Sequence, residues 1–276
     1  MAISAKEVNK LRQMTGAGMM DCKKALVEAD GDFDKAIELL RKKGQKVSAS
    51  RADRATTEGI VMVRTNEEGT SGTVVAFTCE TDFVAKNDDF VAMGNKVADI
   101  AFNEKPASIE DLKAIKAGDL TLGEEITELI GKIGEKLEIS AYKSLSGEAI
   151  VPYIHAGSKL GVLVALKNVG DADTATAGKD VAMQIAAMNP VALDKDGVDA
   201  SVVEKEIEIG KEQARQDGKP EAMLEKIAMG KLNKFYKENT LLSQTFVKDS
   251  SKSISQYLDS LQKGMTVEAF ERVAIG

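Results

Sequence analysis

The chain has 276 residues, 43% apolar and 29% charged, which marks a folded globular protein with room for two or three domains and excludes a disordered one. Aromatic residues make up 4%, tryptophan is absent and the formal net charge is -7. Neither a base-stacking platform for single strands nor the basic footprint of a duplex binder is therefore expected, so no direct nucleic-acid contact is predicted. Residues 1–54 nevertheless hold twelve Lys/Arg and eight Asp/Glu, a net of +4 that leaves -11 for the rest. That split fits either separate modules or an ordinary mixed surface. Cys22 and Cys79 stand far apart without a CxxC, which fits two thiols in a reducing cytoplasm better than a disulfide or zinc site. The N-terminus has no apolar signal core and no apolar run approaches a membrane span, so a cytoplasmic location without membrane contact is expected.

Residues 4–44 read as three short helices. Ser4 and Glu7 have capping-box spacing, and Val8, Leu11 and Met14 mark one face. "TGAGMMD" breaks the helix. Cys22, Ala25, Leu26 and Ala29 recur at helical spacing in the second, and Phe33, Ile37 and Leu40 line a third that Gly44 is expected to stop. The polar, basic stretch 45–59 reads as a linker.

Two β-branched runs, 60–64 and 73–79, flank a Gly-containing turn and predict a hairpin. A helix follows, capped by Asn87 or Asp88, with Phe90, Gly94, Val97 and Ala101 inward. Ser108 opens a short helix. Thr121 opens another with Ile126, Leu129, Ile130 and Ile133 inward, and 136–145 returns as a strand. The pattern then repeats loosely. Runs 149–157 and 159–169 make a second hairpin, Thr174 or Thr176 opens a helix, Ile254, Leu258 and Leu261 mark another, and 266–275 reads as a strand. The fold class expected is α+β: a three-helix head with its linker (1–54), then two related subdomains (55–148, and 149–190 with 239–276). Between the halves of the second lies an insert, 191–238. Its polar helices flank "DGKP" at 217–220, with Val203, Ile207, Gly210 and Ala214 on one arm and Met223, Ile227 and Gly230 on the other. This is a narrow coiled-coil seam, which either projects toward a partner or lies flat on its own body.

Parts for chemistry are missing. There is no P-loop, and "GAGMMD" lacks a third glycine and does not follow a strand. The single histidine, His155, excludes HExxH and multi-histidine metal sites, and no GxSxG elbow lies near it. Neither catalysis nor a cofactor or bound metal is expected. One feature remains unexplained: "FTCETDFVAKNDDF", 77–90, sets Phe83 at the tip of a strand-to-helix turn. The ring either folds into this chain's core, the commoner outcome for such a residue, or is built for the core of another protein.

Five stretches in order resemble the bacterial translation elongation factor Ts family, guanine-nucleotide exchange factors for the GTPase elongation factor Tu. They are "LRQMTGAGMMDCKKALVEADGD" (11–32), "TCETDFVAKND" (78–88), "LIGKIGE" (129–135), "YIHAGSKLGVLV" (153–164) and "QTFVKD" (244–249). The resemblance implies a ubiquitin-associated-like three-helix head, a two-subdomain α+β core and an inserted helical hairpin used in dimerisation. It implies that Thr81, Asp82, Phe83 and Val84 enter the partner near its nucleotide and dislodge Mg²⁺, with Phe83 as a wedge between two helices. It further implies partner contacts for Arg12, Met19, Met20 and Lys23 in the head, for Ile133 and Gly134 beside the wedge, and for His155. The sequence departs from the family pattern at Thr245, where proline is common, and it stops at Gly276, where many members continue past the strand matching "FERVAIG" into a further helix; either the sequence is a shortened one or this member does without that helix.

Overall fold

The structure, a computed structural model, describes residues 3–276. It divides into two compact units. The first takes the described residues through Met62, then Val75–Tyr142 and Val273–Gly276; the second takes Val63–Val74 and Lys143–Arg272.

The first unit opens with three helices, α1 (Ala5–Thr15), α2 (Met19–Glu28) and α3 (Phe33–Ser50). Ser4 and Glu7 close the expected capping box, and Gly16 ends α1 in the left-handed region that lacks a Cβ penalty. Val8, Leu11, Cys22, Ala25, Leu26, Ala29 and Ala36 form their small core. Met14 does not join it and is exposed.

Next come β1 (Glu58–Thr65), β2 (Ser71–Cys79), α4 (Asp82–Ala85), α5 (Asp88–Glu104), α6 (Ile109–Ala114), α7 (Leu122–Ile133) and β3 (Leu137–Ser146). The strands form one sheet in the order β1-β2-β3, and each carries residues of both units. Asn87, Ser108 and Thr121 cap α5, α6 and α7 as their positions predict. Phe77 of β2 stacks on Phe90 of α5 at 4.7 Å, with Val97, Ala101, Ile126, Leu129, Ile130, Leu137 and Ile139 around them. Ile133 packs at the edge of this core and is half-buried rather than fully inward.

Gly44 does not stop α3, which runs on to Ser50. It is a packing glycine. A Cβ on Gly131 of α7 would lie only 2.6 Å from the Cα of Gly44, so two glycines let α3 and α7 cross at backbone contact.

The second unit holds β4 (Ala149–Ile154), β5 (Leu160–Lys167), α8 (Thr174–Met188), α9 (Ala200–Gln216), α10 (Glu221–Asn239), β6 (Thr245–Phe246), β7 (Asp249–Ser253), α11 (Ile254–Leu261) and β8 (Thr266–Ala274), whose last residues belong to the first unit. Its sheet runs β4-β5-β8, with β4 and β5 antiparallel and Val151 opposite Val164. Val162, Val164 and Leu166 face Ala177, Val181 and Ile185 of α8 and Ile254 and Leu258 of α11 in one core. Leu261, expected on the same face, is exposed at the end of α11. The middle strands β2 and β5 are buried along most of their length, which is why both read as continuous apolar runs rather than alternating ones.

Helices α9 and α10 form the expected antiparallel hairpin, but the return arm is rotated from its predicted face. Leu224, Ala228 and Leu232 are buried, while Met223 and Gly230 are exposed. Gly210 sets the register, since a Cβ there would lie 3.1 Å from the Cα of Ala228. That approach places Leu224 and Leu232 a turn to either side of Ala228. At its base the hairpin is tied down by buried amides. Gln244 donates to the Glu238 carbonyl (3.0 Å) and accepts from Gln184 (3.1 Å).

Candidate functional site

Strand β2 ends at Cys79, and the chain must turn from sheet to helix within a few residues. Thr81 caps α4: its hydroxyl accepts from the Val84 amide at 3.4 Å. The same hydroxyl donates to Glu135 Oε1 at 2.7 Å, and the Thr81 amide donates to Glu135 Oε2 at 3.0 Å. One residue earlier, Glu80 Oε1 accepts the Lys136 amide at 2.7 Å and the carboxylate takes Arg51 Nη1 at 2.9 Å to each oxygen. Burial alone would push the Glu80 carboxyl up, but the Lys136 amide and the Arg51 guanidinium pull its pKa below the ordinary carboxylate value. Cys79 lies beneath the turn, its thiol donating to the Thr81 carbonyl at 3.2 Å. Burial, reinforced by the Glu135 carboxylate, pushes that thiol up to about 12, so it is an inert packing group.

Val84 and Ala85 pack against the core under this base, and Asp82 pairs with Lys86 at 2.8 Å. Phe83 does neither. Its ring is 82% exposed, so the internal-core reading of this residue fails in the free protein. A side chain that would contribute roughly 1.5–3 kcal/mol on burial is held in water by a turn whose base is hydrogen-bonded and packed. Aromatic side chains are among the residues that carry most of the binding energy where they do lie in an interface.

Glu135 also links the turn to the end of α7. Gly134 caps that helix with φ 85°, and no atom lies within 4 Å of where its Cβ would stand, so this corner is open. Glu135 thus ties Thr81 to the segment just after Ile133 and Gly134, and Val84 and Ile133 pack on the same core. Arg12, Met19, Met20 and Lys23 are all exposed on α1 and the start of α2, with Met19 at 50% and Met20 at 63%. The reading of those methionines as a helix start packed on its own core does not hold. His155 belongs to the second unit, just past β4, exposed and bonded to the Tyr153 hydroxyl at 2.9 Å. Sequence reasoning passes over Glu80, Glu135 and Gly131 and takes Gly44 for a helix stop. The signal for Glu135 was present: it closes the quoted "LIGKIGE", directly after the helix-ending glycine.

Among the described residues, no cluster of three or more His, Cys, Asp or Glu is placed to hold a metal, and no helix is long and apolar enough to cross a membrane. A family model described as Elongation factor TS matches residues 80–276, which includes the whole Phe83 turn. The Elongation factor Ts of Cytophaga hutchinsonii is 61% identical over 274 residues, 99% of each chain. That of Amoebophilus asiaticus is 58% identical over 276 residues and the full length of both, and that of Christiangramia forsetii is 54% identical over 99% of each. With so much identity carried from end to end, the chain belongs to the elongation factor Ts family and with it to the elongation machinery of protein synthesis.

Proposed function

We propose that this protein is a guanine-nucleotide exchange factor for the translational GTPase elongation factor Tu, acting in the cytoplasm by contact alone and without catalytic chemistry of its own. The observation that carries the reading is Phe83, 82% exposed on a turn whose base is hydrogen-bonded and packed. In a nucleotide-bound GTPase, Mg²⁺ and backbone donors hold the phosphates. A rigid ring entering between the helices that carry those groups displaces both. Thr81 and Val84 aim it, and Asp82 sits at its side.

The factor need only bind the nucleotide-free GTPase more tightly than the loaded form. By linkage, nucleotide then weakens the factor's grip by the same ratio. Each tenfold of that ratio is about 1.4 kcal/mol. Arg12, Met19, Met20 and Lys23 present the head to the G domain, the methionines as adaptable apolar contacts. Ile133 and Gly134 seat beside the wedge, and His155 tethers a further part of the partner. The insert at 191–238 serves self-association. The test is release of labelled GDP from elongation factor Tu with and without this protein. Acceleration is expected. Binding without acceleration would make the protein an adaptor and overturn the reading.

A further inference from the structure

We propose that Glu80 and Glu135 are positioning residues for exchange, forming a reciprocal clasp that fixes the direction of Phe83. The inference rests on the exchange reading above. It starts from a symmetry in the hydrogen bonds. Strands β2 and β3 are neighbours in the sheet, β2 ending at Cys79 and β3 starting at Leu137. Immediately beyond those ends, each segment donates a backbone amide to a carboxylate of the other. Lys136 N donates to Glu80, and Thr81 N donates to Glu135. Side chains thus continue the joining of the strands past the last residues where backbone can pair with backbone. The two chains can then diverge, one into α4 and the other back to α7, without leaving the two amides unpaired.

Both carboxylates are engaged at both oxygens or by more than one donor. Glu135 takes the Thr81 amide on one oxygen and the Thr81 hydroxyl on the other; Glu80 also takes Arg51. Hydrogen bonds to an ionised acceptor are about twice as strong as neutral ones, and bidentate reception fixes orientation as well as distance. The Glu80 side chain is 14% exposed, so its bonds are shielded from competing water. The clasp also reaches backward. Arg51 follows directly on α3, which crosses α7 at Gly44 and Gly131, and α7 leads into Glu135. Head helix, α7 and wedge turn are joined by one continuous set of contacts. A wedge that must displace a neighbour's helices needs such backing, because a ring on a loose turn would yield instead.

The second unit supplies a matched control. Glu148 accepts the amides of Asn168 (2.6 Å) and Val169 (3.2 Å) in the connection after β5, a similar bond with no exposed aromatic beside it. The experiment compares Glu135→Gln, Glu80→Gln, Thr81→Val and Thr81→Ser with Glu148→Gln. The readouts are thermal midpoint, amide hydrogen exchange in the free protein, and the GDP release rate from elongation factor Tu at saturating factor. Expected is at least a tenfold fall in the saturated rate for Glu135→Gln and Thr81→Val, recovery for Thr81→Ser, and no fall for Glu148→Gln at a similar loss of midpoint. An equal fall for Glu148→Gln and Glu135→Gln would reduce the clasp to plain stability. Rapid amide exchange at Thr81 and Lys136 in the wild type would remove the clasp itself, whatever the partner does. Failure of the wild type to speed GDP release would instead sink the exchange reading, a separate outcome.

Discussion

Two connections in this protein do the same geometric job with opposite results. Each leads from the buried middle strand of a three-stranded sheet to a helix that packs on that sheet. After β2 the chain passes through Glu80 and Thr81 to α5; after β5 it passes through Asn168 and Val169 to α8. Each is pinned by a glutamate that accepts backbone amides, Glu135 in the first and Glu148 in the second. The apolar residue then goes opposite ways. Val169 packs against the core of its unit, whereas Phe83 stands 82% exposed. Amide pinning is therefore a property of the frame, and the outward ring is the local departure from it. Departures of that kind, where a local rule is broken without gain to the fold, are where function is to be sought.

The largest effects should separate fold from function among the phenylalanines of the first unit. Phe90 is fully buried and stacked on Phe77, so Phe90→Ala should cost about 3–5 kcal/mol and lower the thermal midpoint steeply. Phe83→Ala should change stability by less than about 0.5 kcal/mol, because the ring is already in water. Its cost should appear in GDP release from elongation factor Tu, as a fall of at least about tenfold, or 1.4 kcal/mol. Matched losses of midpoint and exchange in Phe83→Ala would erase the contrast between the two connections.

Much of this frame was legible because its signals are local. Ser4, Asn87, Ser108 and Thr121 sit where side-chain oxygens can take the first free amides of a helix, and each does so. The β-branched runs became strands. What was not legible depends on a distant segment. Gly44 looks like a stop signal, and only the approach of Gly131 from α7 makes it a contact. The seam of α10 is chosen by Gly210 on the opposite arm, so periodicity within α10 alone selected the wrong face. For Phe83 no periodicity exists, since α4 has only four residues. Family resemblance, not pattern, pointed outward there.

A middle-sized effect tests whether the helical head stiffens the wedge. Gly131→Ala would set a Cβ 2.6 Å from the Cα of Gly44, forcing α3 and α7 apart. Overpacking of this sort costs about 1–3 kcal/mol. If the head backs the wedge, exchange should fall by more than in a variant of the second unit with the same loss of midpoint. His155→Ala should act differently, weakening affinity for elongation factor Tu with little change in midpoint, since the ring is exposed. Titration calorimetry with nucleotide-free GTPase reads that directly, and unchanged affinity would remove His155 from the contact.

The smallest effect bears most closely on the comparison. Val169→Ala removes two methyl groups from a half-buried position, a loss of about 1 kcal/mol at about 0.8 kcal/mol per buried CH₂. Thermal unfolding should register it, and saturated GDP release should not. The reason is that Val169 packs the buried part of its apolar surface against its own unit and leaves only a small remainder outside. Phe83 has the converse distribution, with nearly all its surface outside. If Val169→Ala slowed exchange without lowering the midpoint, the second connection would also be a contact surface. The two turns would then differ only in residue size, and inward or outward orientation would no longer distinguish frame from function.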